Sequence, residues 1–263
     1  MDVLTPRSLE DALRLKADNP GVLPIQGGTD VMIALNFDRA RPEVLLNLKE
    51  VQELRSWSRE NGTLRLGSGL TYVEAMTGSL ADAMPALAEA SRTVGSPQIR
   101  NRGTIGGNLG TSSPAGDALP PLMIEGGEVE LASVRGTRRI PLAEFLVGPK
   151  RNALAEDELI VAAVVRPSGA PQTFMKVGPR NAMVIAVCSL ALVADRERGE
   201  VRASFGSAGP VPGLVACPIG EVDVFPEQVA AASTPIDDVR GTAAYRRHAL
   251  RVLIERALQR CLA

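Results

Sequence analysis

The sequence IRNRGTIGGNLGTSSPAGDALP, residues 99–120, is the stretch on which the interpretation of this chain depends. Its glycines Gly103, Gly106 and Gly107 stand among short hydroxyl and amide side chains. Glycine lets the backbone turn its N–H groups inward and approach a ligand closely, and hydroxyls and amides bond to phosphate or ribose oxygens without burying a charge. These polar side chains are Thr104, Asn108, Thr111, Ser112 and Ser113. The stretch predicts a loop that holds a phosphate-bearing ligand, or else an ordinary polar turn.

A shorter loop with the same chemistry occurs earlier in the chain, as IQGGTD at residues 25–30. Neither loop has the Gly-Lys-Ser/Thr ending of a P-loop, and neither fits a G-x-G-x-x-G turn that opens a helix. A P-loop and a Rossmann dinucleotide site are therefore not supported. Two such loops, far apart in the sequence, indicate one extended ligand held between them.

Charge and hydropathy exclude several classes of function. The 263 residues contain 29 basic and 30 acidic side chains, so the composition shows no excess of basic residues that would favour binding to nucleic acid or to a membrane surface. The longest apolar run, residues 183–194, is too short to span a bilayer and predicts a buried strand. The first residues lack the features of a secretory signal. We expect a soluble, cytoplasmic protein with no membrane span and no nucleic-acid partner.

The residues that usually carry metal or nucleophilic chemistry are few. Cys188, Cys217 and Cys261 are widely separated, which predicts free thiols rather than disulfides or a metal site. An iron–sulfur cluster needs about four thiolates in characteristic spacings. The single histidine, His248, lies on the C-terminal helix and is interpreted as a surface or interface residue. No catalytic side chains and no metal site are predicted.

Hydrophobic periodicity predicts a mixed α+β chain. Capping residues predict helices that start after Ser8 and Thr71, a helical turn follows the first loop, and residues 80–91 and 242–259 are also predicted to be helical. The predicted strands are 22–25, 43–48, 63–67, 128–133, 138–141, 158–165, 172–178, 183–194 and 200–206. Residues 209–220 are predicted to be an irregular Pro- and Gly-rich segment. Turn chemistry at 167–171 predicts a boundary between a domain at 1–167 (lobes of about 1–53 and 54–167) and a domain at 172–263.

Four stretches together resemble a known family. PIQGGTDVM (24–32) and NRGTIGGNLGTSSPAGD (101–117) are similar to the two FAD-binding loops of the flavoprotein, or medium, subunit of molybdenum hydroxylases. That family includes xanthine dehydrogenase, aldehyde oxidoreductase and carbon monoxide dehydrogenase. FMKVGPRNAMVIAVCSLALV (174–193) and IDDVRGTAAYRRHALRVLIERAL (236–258) resemble its C-terminal domain. The resemblance implies a two-lobed FAD-binding domain of the vanillyl-alcohol-oxidase/PCMH type, followed by a small α+β domain.

The resemblance implies that FAD is the ligand held by the two loops. A pyrophosphate needs donors more than countercharge, and backbone N–H groups in a turn supply them. The residues assigned to this task are Gln26, Gly27, Gly28 and Thr29 on the first loop, with Thr104, Gly107 and Asn108 on the second. Ile25, Val31 and Thr111 complete the predicted loop contacts. No His or Cys lies near residues 24–31, so the FAD is expected to be non-covalent.

Five more side chains are implied by the resemblance, each with a structural alternative. Asp30 contacts the ligand or caps the helix that follows. Asp117 accepts hydrogen bonds from ribitol or ribose hydroxyls, or only forms a turn. Val94 and Ile160 lie near the flavin, or are plain core. Lys176 is a cation near the N1/C2 side of the flavin ring that favours the reduced form, or a solvated interface residue.

The resemblance also implies a function and partners. Substrate is oxidised at a molybdopterin centre on a large partner subunit, and electrons pass through 2Fe–2S clusters on a small partner subunit to FAD. FAD then reduces NAD or another acceptor, in an assembly expected to be a dimer of heterotrimers. Many relatives have Arg-Arg where this chain has Arg180-Asn181, so a charge cluster that selects the acceptor is in doubt. The alternatives are a flavin-free scaffold subunit and a stand-alone flavin reductase or oxidase of the same fold.

Overall fold

A computed structural model describes all 263 residues and shows a mixed helix and strand architecture. The strands are β1 Asp2–Leu4, β2 Leu23–Ile25, β3 Val44–Asn47, β4 Trp57–Glu60, β5 Thr63–Gly67, β6 Glu128–Ser133, β7 Gly136–Pro141, β8 Leu146–Gly148, β9 Arg151–Asn152, β10 Leu159–Val165, β11 Gln172–Val177, β12 Cys188–Asp195, β13 Glu200–Gly206 and β14 Gly213–Pro218. The helices are α1 Leu9–Asp18, α2 Val31–Asn36, α3 Tyr72–Ala75, α4 Gly78–Ala83, α5 Pro85–Thr93, α6 Pro97–Arg100, α7 Ile105–Thr111, α8 Leu119–Ile124, α9 Leu142–Phe145, α10 Phe225–Ala232 and α11 Ala243–Leu262. Short 3-10 turns occur at Leu48–Glu50, Gln52–Leu54 and Ile219–Val224.

The first sheet is small and parallel, in the order β1-β3-β2. Helix α1 begins as predicted, because the Ser8 hydroxyl accepts a hydrogen bond from the Asp11 amide. The first glycine loop leaves the carboxyl end of β2 and leads into α2. Helix α1 connects the two outer strands and α2 connects β2 to the central β3, so both are crossovers between parallel strands. The loop is fixed at the edge of the sheet where strand ends meet.

The second sheet has five antiparallel strands in the order β4-β5-β10-β6-β7. Its inner face packs under the helices that surround the second glycine loop, with Leu66, Ile105 and Leu109 fully buried between them. The capping box predicted at Thr71 and Glu74 is present at the start of α3. This core holds α7, and therefore the second loop, on a rigid support.

The third sheet is an antiparallel meander, β11-β12-β13-β14, with a helix layer on each face. Along β12, Leu190 and Leu192 pack with α11, whereas Ala191 and Val193 pack with α5 and α8. Burial on both faces explains why β12 is apolar at five consecutive positions, 190–194, rather than at every second one. The contacts with α5 and α8 join the C-terminal segment to the helices around the second loop.

Several element predictions were wrong at particular places. Residues 80–91 do not form one helix, because Pro85 cannot continue α4 and instead begins α5. The strand expected at 183–194 begins only at Cys188, since Met183 has a left-handed backbone (φ 52°). The segment 209–220 contains β14, which pairs with β13. Strands β1, β4, β8 and β9 and helices α9 and α10 were also not predicted. The stretch 99–120, predicted to be a loop, contains α7 and the ends of α6 and α8, and the name second loop is kept for the whole stretch.

No helix of the chain combines the length and apolar composition needed to cross a bilayer.

Candidate ligand-binding site

The two glycine loops touch each other through glycines that leave no room for a side chain. A Cβ added to Gly27 would lie 2.0 Å from the carbonyl oxygen of Arg102. A Cβ on Gly106 would lie 2.4 Å from the Cβ of Ser68. These glycines therefore allow close backbone packing, which brings the first loop onto the start of the second.

Two other glycines of the loops, Gly28 and Gly107, would meet side-chain atoms but no backbone on gaining a Cβ. A Cβ on Gly107 would meet only the Thr104 hydroxyl oxygen, at 3.1 Å. Thr104 caps α7 by accepting a hydrogen bond from the Gly107 amide at 2.9 Å. Gly28 has a left-handed backbone, with φ of 78°, which favours glycine. All four glycines line the narrow cavity, but only Gly27 and Gly106 pack tightly against neighbouring backbone.

A narrow cavity of about 360 Å³ lies between the loops. Its volume is within the usual range of small-ligand pockets, about 300–1,000 Å³. Most of the residues predicted from the sequence line it, namely Ile25, Gln26, Gly27, Gly28, Thr29, Asp30, Val31, Thr104, Gly107, Asn108, Thr111 and Ile160. The structure therefore brings together residues that are more than 130 positions apart in the chain.

A wide cavity of about 1220 Å³ adjoins the narrow one. Its walls include Val94, residues 113–117 of the second loop and residues 183–185 before β12. The two cavities share seven lining residues, Leu23, Thr29, Asp30, Val31, Tyr72, Asn108 and Thr111. The shared residues show that the cavities meet, so one long molecule can extend from one into the other.

Three buried side-chain oxygens that the two loops contribute to these cavities have no hydrogen-bond partner in the protein. They are Gln26 Oε1, Asn108 Oδ1 and Asp117 Oδ1. Because an unpaired buried polar group costs about 1–3 kcal/mol, such groups are rare unless something else satisfies them. These oxygens come from both loops and are acceptors, so they match a ligand that offers hydroxyl or N–H donors.

Asp30 and Thr111 form a bridge between the two loops. The Thr111 hydroxyl donates to Asp30 Oδ2 at 2.6 Å. The Asp30 side chain makes no capping hydrogen bond to α2, so the capping alternative considered for it is wrong. The bridge lies among the residues shared by the two cavities.

Asp117 forms a buried ion pair with Lys176, at 2.6 Å between Oδ2 and Nζ. The two side chains are 9% and 5% exposed, so the alternative of a solvated lysine is wrong. Burial raises the pKa of the Asp117 carboxyl above its ordinary value, and the Lys176 ammonium opposes that shift. Lys176 also donates to the Thr93 carbonyl oxygen and lines neither cavity itself. Arg180 is not part of this pair, since it donates to the Met183 carbonyl oxygen.

Tyr72 is a cavity residue that the sequence did not mark. It is the first residue of α3, directly after the capping residue Thr71, and it borders both cavities. Its position within a predicted helix start gave no sign that its ring faces a site. Only the packing of α3 against the second loop reveals this.

The cysteines and the histidine lie apart from the cavities. Cys188, Cys217 and Cys261 are free and buried in the core between β12, β13 and α11. Burial raises the pKa of the Cys188 thiol to about 12 and that of Cys261 to about 11, which keeps both protonated at neutral pH. No group of three or more His, Cys, Asp or Glu side chains is placed to hold a metal ion.

Comparison with known proteins gives a family match over most of the chain. Residues 1–167 match the sequence model described as the FAD binding domain in molybdopterin dehydrogenase. The nicotine 6-hydroxylase medium subunit of Paenarthrobacter nicotinovorans is 31% identical over 271 residues, covering 97% of this chain and 94% of that protein. The xanthine dehydrogenase FAD-binding subunit of Escherichia coli O157:H7 is 29% identical over 276 residues, with the same coverage of 97% and 94%.

A solved structure has the same fold over its whole length. A chain of the carbon monoxide dehydrogenase from Hydrogenophaga pseudoflava superposes with a TM-score of 0.91, covering 100% of this chain and 97% of that chain. The two sequences are 24% identical, so this likeness speaks for the fold alone.

Proposed function

The chain belongs to the family of FAD-binding domains of molybdopterin dehydrogenases, and on that premise we propose that it carries electrons between iron–sulfur clusters on a partner subunit and an external acceptor. It is an FAD-binding subunit of an oxidoreductase of the molybdenum hydroxylase type. It is similar to the FAD-binding subunit of xanthine dehydrogenase and to the medium subunit of nicotine 6-hydroxylase. The observation that supports the proposal most is a pair of adjoining cavities between two glycine loops, lined by unpaired polar groups.

The residues present fit FAD. A dinucleotide combines a pyrophosphate, which accepts hydrogen bonds, with ribose, ribitol and ring groups that donate them. The glycine-rich backbone supplies donors, and the unpaired oxygens of Gln26, Asn108 and Asp117 supply acceptors. The narrow cavity suits the nucleotide half and the wide cavity suits the flavin half. When bound, FAD supplies redox chemistry that couples one-electron clusters to a two-electron acceptor.

We propose the following roles in FAD binding for the individual residues. Gln26, Gly27, Gly28, Thr29, Thr104, Gly107 and Asn108 hold the pyrophosphate, with Ile25, Val31 and Thr111 packed around it. The resemblance implies that Ile160 lies near the flavin, but Ile160 lines only the narrow cavity, so this proposal assigns it to the nucleotide half. Asp30 ties the first loop to Thr111 and so fixes the width of the passage. Val94 lines the wide cavity, where it excludes water from the ring. Asp117 accepts a hydrogen bond through its free oxygen, while Lys176 positions that carboxylate.

We expect the FAD to be bound without a covalent link. No Cys or His lies on the first loop, and the three cysteines are buried elsewhere. We further propose that 1–167 is the FAD-binding domain, of the vanillyl-alcohol-oxidase/PCMH type with lobes of about 1–53 and 54–167. Residues 172–263 form the C-terminal domain, whose first strand supplies Lys176.

The proposed partners follow from what this chain lacks. It holds no set of side chains placed for a metal or a cluster, and its relatives are named as subunits of larger enzymes, which supports a source of electrons on another polypeptide. We propose a large molybdopterin subunit and a small 2Fe–2S subunit, assembled as a dimer of heterotrimers in the cytoplasm. The acceptor of the electrons is NAD or another carrier.

The assembly is tested by purification through a tag on this chain from its native cells. We expect flavin, molybdenum and iron in one complex. The isolated chain is expected to bind FAD but not to oxidise purines or aldehydes. A monomeric yellow protein without molybdenum or iron would favour the stand-alone reductase. A colourless chain in a complex with the same partners would favour the flavin-free scaffold.

A further inference from the structure

Tyr72 occupies the place where the two cavities meet. It is one of the seven residues that line both, and its side chain is 5% exposed. It is also the only aromatic residue among these seven. Because it borders both cavities, this ring is placed to contact a molecule that extends from one into the other.

The ring of Tyr72 is held firmly in place. Its backbone N–H donates to the Gly103 carbonyl oxygen at 3.1 Å. A Cβ on Gly103 would lie 3.0 Å from the Tyr72 ring, so the absence of a side chain there seats the ring against the second loop. The capping box of Thr71 and Glu74 fixes the start of α3 next to it. The position of the hydroxyl is therefore set before any ligand binds.

The hydroxyl of Tyr72 has no partner within the protein. Burial raises the pKa of the Tyr72 phenol above its ordinary value, and the nearby carboxylates of Asp117 and Asp30 raise it further. No hydrogen bond to either carboxylate contributes to this shift. The group is thus a protonated donor near two carboxylates, one from the end of each loop.

We infer that the Tyr72 hydroxyl donates a hydrogen bond to the bound FAD at the passage between the two cavities, and so positions the molecule there. This inference rests on the proposed function, because it requires that FAD be the ligand. We expect a dinucleotide that occupies both cavities to contact the Tyr72 ring, whereas a fragment confined to one cavity does not need to do so.

The chain allows a direct test of proximity, because it contains only two tyrosines. Tyr245 is 48% exposed on α11 and lines neither cavity, so it is an internal control. The full chain is labelled with 3-fluorotyrosine, and the two ¹⁹F resonances are assigned with Tyr72→Phe and Tyr245→Phe. Adding FAD is expected to shift the Tyr72 signal and to leave the Tyr245 signal in place. FAD binding without movement of the Tyr72 signal would overturn the inference.

The hydrogen bond itself is tested by affinity. Tyr72→Phe keeps the packing of the ring and is expected to weaken FAD binding about 3- to 10-fold, whereas Tyr245→Phe leaves it unchanged. Thermal unfolding of both variants without FAD shows whether the fold is intact. Equal FAD affinity of folded Tyr72→Phe and the parent would contradict the hydrogen bond. Failure of the parent chain to bind FAD at all would instead contradict the proposed function.

Discussion

The narrow and the wide cavity are built in different ways. The narrow cavity consists largely of the two glycine loops, each a short continuous segment. The wide cavity draws its walls from the end of the second loop, from residues 183–185 and from parts of the C-terminal segment such as Ser207 and Arg246. The first depends on local backbone geometry and the second on how distant elements pack.

This difference predicts how each cavity responds to change. In the narrow cavity a methyl group added at Gly27 meets backbone atoms of the second loop that cannot easily move away. In the wide cavity the walls are held together by a buried ion pair between Asp117 and Lys176. Substitutions in the narrow cavity should therefore act mainly on FAD binding, and those behind the wide cavity mainly on stability.

The largest expected effect comes from removing the lysine behind the wide cavity. Lys176→Met leaves the Asp117 carboxylate buried without its cation, which should cost about 3–5 kcal/mol in the free energy of unfolding. Without that cation the pKa of Asp117 rises further in the folded variant. At a pH above the ordinary pKa of an aspartate, the unfolded chain then releases a proton that the folded variant keeps. The variant should therefore lose stability as the pH rises from about 4, measured by denaturant unfolding at several pH values.

The matched control is the double variant Asp117→Leu with Lys176→Met. Replacing both charges by apolar groups removes the unpaired buried charge and should recover much of the lost stability. If Lys176→Met alone unfolds as easily as the parent chain, the ion pair does not hold the wide cavity together.

The next effect tests the contact between the loops. Gly27→Ala places a Cβ against the Arg102 carbonyl oxygen, which should destabilise the chain by about 1–3 kcal/mol and separate the loops enough to abolish FAD binding. Gly21→Ala is the control, because its Cβ would lie in open space. Thermal unfolding and FAD titration measure both effects. Normal FAD binding by Gly27→Ala would show that the narrow cavity tolerates displacement of its loops.

A smaller effect is expected where the two cavities meet. Asn108→Ala removes an amide whose oxygen has no partner in the protein, so the empty chain should keep its stability. FAD binding should weaken by about 1–3 kcal/mol if the ligand uses that amide. Asn101→Ala, an exposed position of the same stretch, is the control. Loss of stability in place of loss of FAD affinity would make Asn108 a structural residue.

The sequence predicted the narrow cavity well, because short segments determine it. The residues predicted on both loops line it, and the helix starts at Ser8 and Thr71 are where the capping residues indicated. The FAD-binding family is confirmed by the match over residues 1–167. Glycine and capping residues act on backbone within a few positions of themselves, so their effect can be predicted from the sequence alone.

The wide cavity could not be predicted in the same way. The apolar run 183–194 is continuous in sequence, but Met183 and Ile185 are exposed beside the cavity while Cys188 begins a buried strand. The ion pair of Lys176 with Asp117 joins residues 59 positions apart. Tyr72 has an ordinary place at a helix start, and only its contact with Gly103 turns it towards the ligand. Such features arise from tertiary packing.

The central claim is that one dinucleotide occupies both cavities, and ligand titration of the flavin-depleted chain tests it most directly. FAD, FMN and ADP are titrated separately, and the affinity and stoichiometry of each are measured by calorimetry. The account predicts one FAD per chain, bound about 100-fold or more tightly than either fragment, because the linked halves use both cavities together. An affinity for FMN equal to that for FAD would contradict it, since the narrow cavity would then add nothing to binding.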